Sequence, residues 1–409
     1  MSIKNYLFSY TDLRSIQRAK LVPSTAFDKG CVDGVGFAGF ASWLDLVPGD
    51  SDVIAVPDSA PVVYPNNSEI AWVATELQVE GRALEQCPRY QLKRLLKELN
   101  GLGYVLKTGV EAEFFLISNN SNTIYDDADT YGKPCYNQDI LLKNYGVISA
   151  IVEGINSLGW GCYQADHEDA NGQYEINWEF DDSLATADKH AFFKSFAKQT
   201  ARDNEARVSF MPKPFPTITG NGCHCHFSVW SLDGKNEFLG QGGELSQLAK
   251  SFAAGVLQHA PALALLFNSS VNSYRRQQAT QTDSGSSWVT NRVSVGGNDR
   301  TKLVRIPDNE RIELRQPDGA VNPYILQLGV LAGGLLGLKN SLSLDKVASS
   351  AGLLPTNLGA AILNFQKDLE LQEVLGSDFS SAYLNIKHRE WEEYLNHFSS
   401  WEVSNYLDL

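Results

Sequence analysis

No apolar run in this chain can cross a membrane. The longest, Val330-Leu331-Ala332-Gly333-Gly334-Leu335-Leu336-Gly337-Leu338, falls far short of the roughly 20 residues a spanning helix needs. The start, Met1-Ser2-Ile3-Lys4-Asn5-Tyr6, lacks the architecture of a secretion signal, so a cytoplasmic protein is expected. Positive charge is scarce as well. Lys and Arg number 34 against 48 Asp and Glu, a net charge of −14. That excludes a general nucleic-acid or anionic-membrane binder, because both must neutralise phosphate. Any anionic ligand must then meet a local cluster of arginines. The six cysteines, Cys31, Cys87, Cys135, Cys162, Cys223 and Cys225, include no C-x-x-C pair and lie far apart, so free buried thiols are expected rather than a disulfide framework. No Walker-type glycine loop is present, and Gly220 and Gly222 are too few to cradle a triphosphate alone.

What is there reads as a globular protein: 43% hydrophobic and 20% charged residues over 409 positions, with a length prior of roughly two to three domains. Residues 1–86 hold short extended runs at Tyr6 to Tyr10, Ala19 to Val22, Gly36 to Trp43, Asp52 to Val56 and Ala71 to Val79, broken by Pro23, Pro48-Gly49, Pro57-Asp58 and Pro65-Asn66-Asn67. This predicts a small β-rich domain. A boundary is expected near Cys87-Pro88, where Pro88 can open a helix closed by Asn100-Gly101, and residues 87–409 form the second unit. There strands are predicted at Tyr104 to Ile117, Tyr163 to Gln164, Gln173 to Glu179, Val208 to Met211, Cys223 to Trp230, Lys302 to Ile306 and Arg311 to Arg315. Helices are predicted at Asp139 to Leu158, Ala185 to Glu205, Leu245 to Phe267, Pro323 to Asn340, Leu353 to Glu373 and Phe379 to Trp401. The polar, small run Gln277 to Ser287 reads as a mobile loop.

Chemistry concentrates in strand-like segments. Alternation puts Glu111 and Glu113 on one strand face with Ala112 on the other. Alone, that pair would be a solvated strand face. It has company: Glu168 and Glu175 flank the turn dipeptide Asn171-Gly172, which can bring acids of adjacent strands together. His224 and His226 share one face, with Cys223 and Cys225 on the opposite one, so a zinc site of two thiols and two imidazoles is geometrically poor. An isolated H-x-H is more often a packed or hydrogen-bonded pair than a ligand pair. Arg311, Glu313 and Arg315 alternate likewise, in the manner of an intrastrand salt-bridge ladder. Arg275, Arg276, Arg300 and Arg305 add guanidinium groups to the same third of the chain, the local cluster an anionic substrate requires. Five glutamates and one or two histidines make a hard, oxygen-rich set suited to Mg²⁺ or Mn²⁺, and carboxylates for metal plus arginines for phosphate equip phosphoryl transfer.

These segments, in this order, resemble the glutamine synthetase superfamily: Gly109-Val110-Glu111-Ala112-Glu113-Phe114-Phe115, His167 through Glu175, Asn221 through His226, Asn272-Ser273-Tyr274-Arg275-Arg276 and Arg311 through Tyr324. Phe37-Ala38-Gly39-Phe40 and Asp166 through Gln173 resemble more narrowly the type III (GlnT-like) glutamine synthetases and γ-glutamylmethylamide synthetases. The resemblance implies an α+β fold: an N-terminal β-grasp domain, then a catalytic α/β domain with a curved antiparallel sheet. It implies a homo-oligomer, a dodecamer of two hexameric rings with sites between neighbouring subunits. Glu113, Glu168 and Glu175 match ligands of one metal ion, and Glu111, His224 and Glu313 those of another, with ATP and two or three Mg²⁺ or Mn²⁺ as cofactors. His226, Ser228, Arg305 and Arg311 match the ATP contacts. Gly220, Arg276, Arg315 and Glu113 match the glutamate contacts, Arg300 the group on the transferred phosphoryl, and Asp52 an aspartate reaching into the neighbour's site. The implied activity is ATP-dependent joining of the glutamate γ-carboxyl to ammonia or a small primary amine through γ-glutamyl phosphate.

Two departures bear on the amine. The N-terminal aspartate that collects ammonium in such enzymes aligns with Ala38, and the loop after Arg276 is shortened, offering only Asp283. Loss of both acids favours an alkylated amine such as methylamine. No adenylylation motif is recognisable in Leu354-Pro355-Thr356-Asn357-Leu358-Gly359, so regulation by that route is not expected. A guanidino-type phosphotransferase, which would release a stable phosphorylated product, and a non-catalytic glutamate- or nucleotide-binding ring are the alternatives. The intact acids, His224 and Arg300 speak against the second.

Overall fold

A computed structural model describes residues 2–278, 282–283, 289–350 and 352–409. The predicted mobile loop therefore falls partly outside the described residues, at 279–281 and 284–287.

The N-terminal segments pair into one sheet. β1 (Asn5–Thr11), β2 (Gln17–Pro23), α1 (Phe27–Asp33), β3 (Val35–Phe37), β4 (Val53–Pro57), β5 (Val62–Tyr64), β6 (Asn67–Val79) and β7 (Arg82–Ala83) give the order β2-β1-β6-β4-β3, with β5 and β7 also on β6. The β1–β6 pairing is parallel and the others antiparallel. The predicted strand over Gly36 to Trp43 stops at Phe37, giving way to a single 3₁₀ turn at Gly39–Ala41. α1 was not foreseen: one short turn-rich helix carries too little periodicity to register.

The second body is built around β8 (Tyr104–Ser118), which follows α2 (Pro88–Gly101), where Pro88 occupies the first turn as expected. Then come α3 (Gln138–Lys143), α4 (Tyr145–Ser157), β9 (Cys162–His167), β10 (Gln173–Trp178), β11 (Asp181–Asp182), α5 (Ser183–Asp203), β12 (Ala206–Ser209) and β13 (Cys223–Ser231). α6 (Gln247–Gln258), α7 (Ala260–Phe267), α8 (Ser273–Gln277), β14 (Val295–Gly296), β15 (Val304–Arg305), β16 (Ile312–Leu314) and α9 (Pro323–Lys339) follow. α10 (Leu344–Ser349), α11 (Leu358–Lys367), α12 (Leu369–Leu375), α13 (Ser377–Leu395) and α14 (Ser400–Tyr406) close the chain. The sheet runs β14-β15-β16-β13-β8-β10-β9, with β11 and β12 also on β8; only the β14–β15 pair is parallel. Four predicted long helices are each two. The break between α6 and α7 sits at His259, because Pro261 lacks the N–H needed to continue α6. Asp368 ends α11 and caps α12 by accepting from the Leu371 amide.

The longest apolar run lies in α9, which is buried on every side from Pro323 to Gly337 and packs against α2, α5 and α6. A helix apolar all round belongs in a core, and this one is the core. No helix among the described residues is long and apolar enough to span a membrane. Where α6 crosses α9 the backbones nearly touch: a Cβ on Gly255 would lie 2.0 Å from the Gly333 carbonyl oxygen and 2.5 Å from the Gly337 nitrogen. Backbone cannot yield as a side chain can. Gly255→Ala is expected to lower stability by about 2–3 kcal/mol, a typical overpacking cost; thermal denaturation checks it, and an unchanged Tm would show that the two helices separate freely.

Candidate active site

Strand register assembles the acids. On β8, Glu113 stands opposite Glu175 of β10, and Glu175 stands opposite Asp166 of β9. On the other side of β8, Glu111 is opposite His224 of β13, and His226 is opposite Glu313 of β16. Because every second residue shares a face, this register turns five separated segments into one chemical surface. Cys223 and Cys225, on the reverse face, are fully buried in the core, where burial pushes the Cys223 thiol up to about 12. All six cysteines are free.

Two triads result. Ligand atoms of Glu111, His224 and Glu313 lie within 4.8 Å of one another, and so do those of Asp166, Glu168 and Glu175. The first triad matches the sequence expectation. The second has Asp166 where Glu113 was expected, because the Glu113 carboxylate turns to the Gln173 amide (2.8 Å) and the Gly222 N–H (2.7 Å). Asp166 repeats, relative to Glu168, the same-face spacing of Glu111 and Glu113, but the predicted strand stops at Gln164, three residues short of the observed end at His167, and so leaves it out.

A single cavity of about 620 Å³ is lined by Glu111, Glu113, Asp166, Glu168, Glu175, His224, Gly220, Arg276, Arg300 and Arg315. Its acids are under mutual strain. Burial, then Glu113 and Asp166, raise the Glu168 carboxyl well above its usual range. Burial, then Glu111, Glu168 and Glu113, do the same to Glu175, and burial with Glu111 and Glu113 lifts Asp166 to about 6. Glu111 is the exception: burial would raise it, but hydrogen bonds with His224 (3.0 Å) and His226 (2.8 Å) hold it well below. Among the described residues no cation of the chain pairs with Asp166, Glu168 or Glu175, and the buried Asp166 Oδ1 has no hydrogen-bond partner. Such an oxygen-rich, uncompensated set fits a hard divalent ion.

The arginines face these acids. Arg276, buried at 4% exposure, leaves Nε and Nη1 without a partner, as Arg315 does its Nε. Unpaired buried guanidinium nitrogens bordering a cavity are the donors a carboxylate or phosphate needs. Gly222 makes room for this: a Cβ there would come within 2.7 Å of Glu113 Oε1, 2.8 Å of Arg276 Nη2 and 3.0 Å of His224 Nε2. Glu111 also borders a second cavity of about 390 Å³, with His226, Ser228, Arg311, Phe180 and Trp230 on its walls. The two chambers thus meet at one carboxylate, and the Phe180 and Trp230 rings, 6.1 Å apart, offer an apolar slot.

Not every expected residue joins them. Arg305 lines neither chamber and is engaged by Glu313 and Asn298. The ladder expected of Arg311, Glu313 and Arg315 is incomplete, since Arg311 pairs with Asp308 at 2.7 Å while Glu313 bonds Arg305 and Arg315. Asp52 and Ala38 are exposed on the N-terminal sheet side, away from both cavities. Asp283 is exposed, its amide donating to Thr217 O at 2.8 Å, and it lines neither chamber.

Comparison with known proteins settles the family. Residues 85–406 match the sequence profile described as glutamine synthetase, catalytic domain. The chain belongs to the glutamine synthetase family. It is 48% identical to a glutamine synthetase of Rhizobium leguminosarum bv. phaseoli, over 100% of this chain and 97% of that protein. It is 36% identical to a glutamate–methylamine ligase of Methyloversatilis universalis, again over 100% of this chain and 97% of that one. Among solved structures, a GmaS/ADP complex superposes with a TM-score of 0.95 at 44% identity, covering 100% of this chain and 97% of that chain. The protein is accordingly an ATP-dependent glutamate–amine ligase of the family's α+β fold, using ATP and divalent metal ions.

The crowded acids have a thermodynamic signature. A carboxyl raised in the folded chain holds its proton more tightly there than when unfolded, so its contribution to stability is lost as pH rises from the unfolded values of 3.8 and 4.5 through about 6 and above. Glu111, held low, works oppositely and loses its contribution on acidification. With divalent ions chelated, Asp166→Asn is expected to raise stability at about pH 7.5 by about 1 kcal/mol, allowing for solvent screening, and by about half as much at about pH 5. The same variant needs more Mg²⁺ for activity. Melting curves with and without chelator check the sign; a variant less stable than the parent at the higher pH would contradict the crowding.

Proposed function

We propose that this enzyme forms γ-glutamyl amides from L-glutamate and a small primary amine, with methylamine preferred to ammonia. One observation carries the chemistry: two acid-rich triads face Arg276, Arg300 and Arg315 across one cavity that meets a second chamber at Glu111. Arg276, Arg315 and the Gly220 backbone receive the glutamate, whose carboxylates meet the unpaired guanidinium nitrogens. His226, Ser228 and Arg311 receive ATP in the aromatic-lined chamber, with Arg305 acting beside them through Glu313. Glu111, His224 and Glu313 on one side, and Glu113, Asp166, Glu168 and Glu175 on the other, would hold two or three Mg²⁺ or Mn²⁺. Bound there, such ions supply positive charge to the phosphoryl oxygens.

The reaction takes two displacements. A γ-carboxylate oxygen bonds to the terminal phosphorus of ATP as the bond to the bridging oxygen breaks, leaving ADP. Arg300, exposed at the cavity rim, is assigned to the charge on the phosphoryl group in transit. The amine then bonds to the γ-carbonyl carbon, phosphate leaves with the C–O electron pair, and the amine loses a proton. Buried acids with raised affinity for protons, Glu168 and Glu175 foremost, are suited to a chamber where positive charge must be held near carboxylate oxygens.

The amine assignment rests on what is missing. Ala38, assigned with Asp52 to a neighbouring subunit's site, brings a methyl group where the resemblance expects an ammonium-collecting carboxylate, and Asp283 stands outside the chamber. An ammonium ion gains nothing from a methyl neighbour, whereas an alkyl group does. The whole-length likeness to a glutamate–methylamine ligase supports the same reading. We further propose residues 1–86 as a β-grasp domain and 87–409 as the catalytic domain of a cytoplasmic dodecamer of two hexameric rings, with the exposed Asp52 acting on a neighbouring subunit's site.

Turnover with methylamine is expected to exceed turnover with ammonium at equal concentration, read as ADP release and as the mass of the γ-glutamyl product; a clear preference for ammonium would falsify the amine assignment. Arg276→Gln is expected to raise the KM for glutamate about 10- to 100-fold, the loss of one charge-assisted contact, with the KM for ATP nearly unchanged.

A further inference from the structure

A third cavity, of about 660 Å³, lies against the loops at 208–212, 270–272 and 319–323, with α5 and the β1–β2 turn completing it. Its charged lining consists of Arg14, Lys194, Lys198 and Arg202; no Asp or Glu is among the described residues that line it. In a chain of net charge −14 that is a local inversion. Lys194, Lys198 and Arg202 follow at four-residue intervals on α5 and so share one helix face. None of the three is ion-paired among the described residues. Lys194 donates to the Gly319 and Val321 carbonyls, each at 2.8 Å, and Arg202 to Gln199 at 3.0 Å. Arg14 reaches the exposed Glu393 at 3.3 Å but leaves a buried Nε without a partner. Hydroxyls of Thr11, Ser195, Ser209 and Ser270 also line it, while the Ser15 hydroxyl donates to the Ala320 carbonyl at 3.0 Å. Burial lowers the proton affinity of Lys194 to about 8 although Cys223 and Asp318 pull the other way, while Lys198 and Arg202 stand exposed to solvent.

This cavity has a route to the chemistry. The carbonyls of Ser209 and Met211, on its wall, accept from Asn221 Nδ2 at 3.1 and 2.9 Å. Asn221 Oδ1 accepts from Gln173 Nε2 at 3.1 Å, and the same nitrogen donates to Glu113 Oε2 at 2.8 Å. Two amide side chains therefore join the cavity wall to an active-site carboxylate.

We infer that the cavity is an effector site for a small anion of two or more negative charges, phosphate or polycarboxylate in chemistry, whose occupancy is transmitted through Asn221 and Gln173 to Glu113. Four cations, an uncharged donor rim and a volume within the usual range for small-molecule sites select that class, and neither a nucleotide base nor a long apolar chain is called for. The inference does not depend on which amine the enzyme uses.

The test uses the full-length assembled enzyme with its active site saturated by Mg²⁺, glutamate and a non-hydrolysable ATP analogue. Inorganic phosphate and citrate are titrated separately by calorimetry, which distinguishes the two sources of negative charge. One further anion per chain is expected for at least one probe. Lys198→Ala/Arg202→Ala, changed outside the catalytic machinery, is expected to weaken that binding by about tenfold or more, while Lys198→Arg retains it and the KM for ATP stays within about twofold. In steady-state assays the bound probe is expected to shift kcat or the glutamate KM in the parent and not in the double variant. Absence of a further site for both probes, equal binding by the double variant, or binding without any kinetic shift would each overturn the proposal.

Discussion

Carboxylates that cannot all stay charged together dominate this structure. Asp166, Glu168, Glu175, Glu113 and Glu111 are drawn to one sheet face; crowding and burial raise Asp166, Glu168 and Glu175, whereas the histidine bonds hold Glu111 low. A fold that tolerates this must have a compensating partner in its working state, and hard divalent ions are the natural one. Register is what enforces the crowding. A slip of one residue anywhere among β8, β10 and β13 would send the acids into the core and the core residues into the site.

Opposite charge is kept close but only partly paired: Glu313 takes one nitrogen each of Arg305 and Arg315, and among the described residues Glu113, Asp166, Glu168 and Glu175 take none. Arg276 and Arg315 are buried with free nitrogens, yet Glu113 spends its hydrogen bonds on Gln173 and the Gly222 amide rather than on them. Had Glu113, Asp166, Glu168 and Glu175 paired with the arginines as Glu313 does, the cavity would be a structural salt-bridge network with nothing to recognise. Gly222 sits where Glu113, His224 and Arg276 converge and preserves the gap by lacking a side chain. Glu111 closes the arrangement from the other side, belonging to both chambers, so nucleotide and acceptor share a boundary at the point where phosphoryl transfer would occur.

Unpaired charge appears again on the reverse of the active-site wall. There α5 presents three cations on one face, and the loops carrying Asn221 and Gly319 lie between that face and the catalytic acids. Asn221 is a hinge of the hydrogen bonding: its backbone bonds Pro212 and Gly319, and its side chain bonds Ser209, Met211 and Gln173. Changes at the basic cavity therefore have a short, polar path to Glu113 instead of a long one through the apolar core.

Local alternation was enough to find Glu111, Glu113, His224, His226 and Glu313 and to turn the two cysteines away, because which face a strand residue takes is decided by its immediate neighbours. The family resemblance, carried by ordered motifs, extended that to the arginines and to the α+β fold. Helix breaks at His259 and Asp368 were missed because caps and prolines act on single residues inside longer periodic stretches. Asp166 in place of Glu113, the engagement of Arg305 with Glu313, the meeting of two chambers at Glu111 and the basic cavity beside α5 depend on how distant segments are laid against one another. Sequence by itself determined which side chains could face a common surface; tertiary structure alone decided which of them meet, since cross-strand register and burial are set by contacts between residues far apart in the chain.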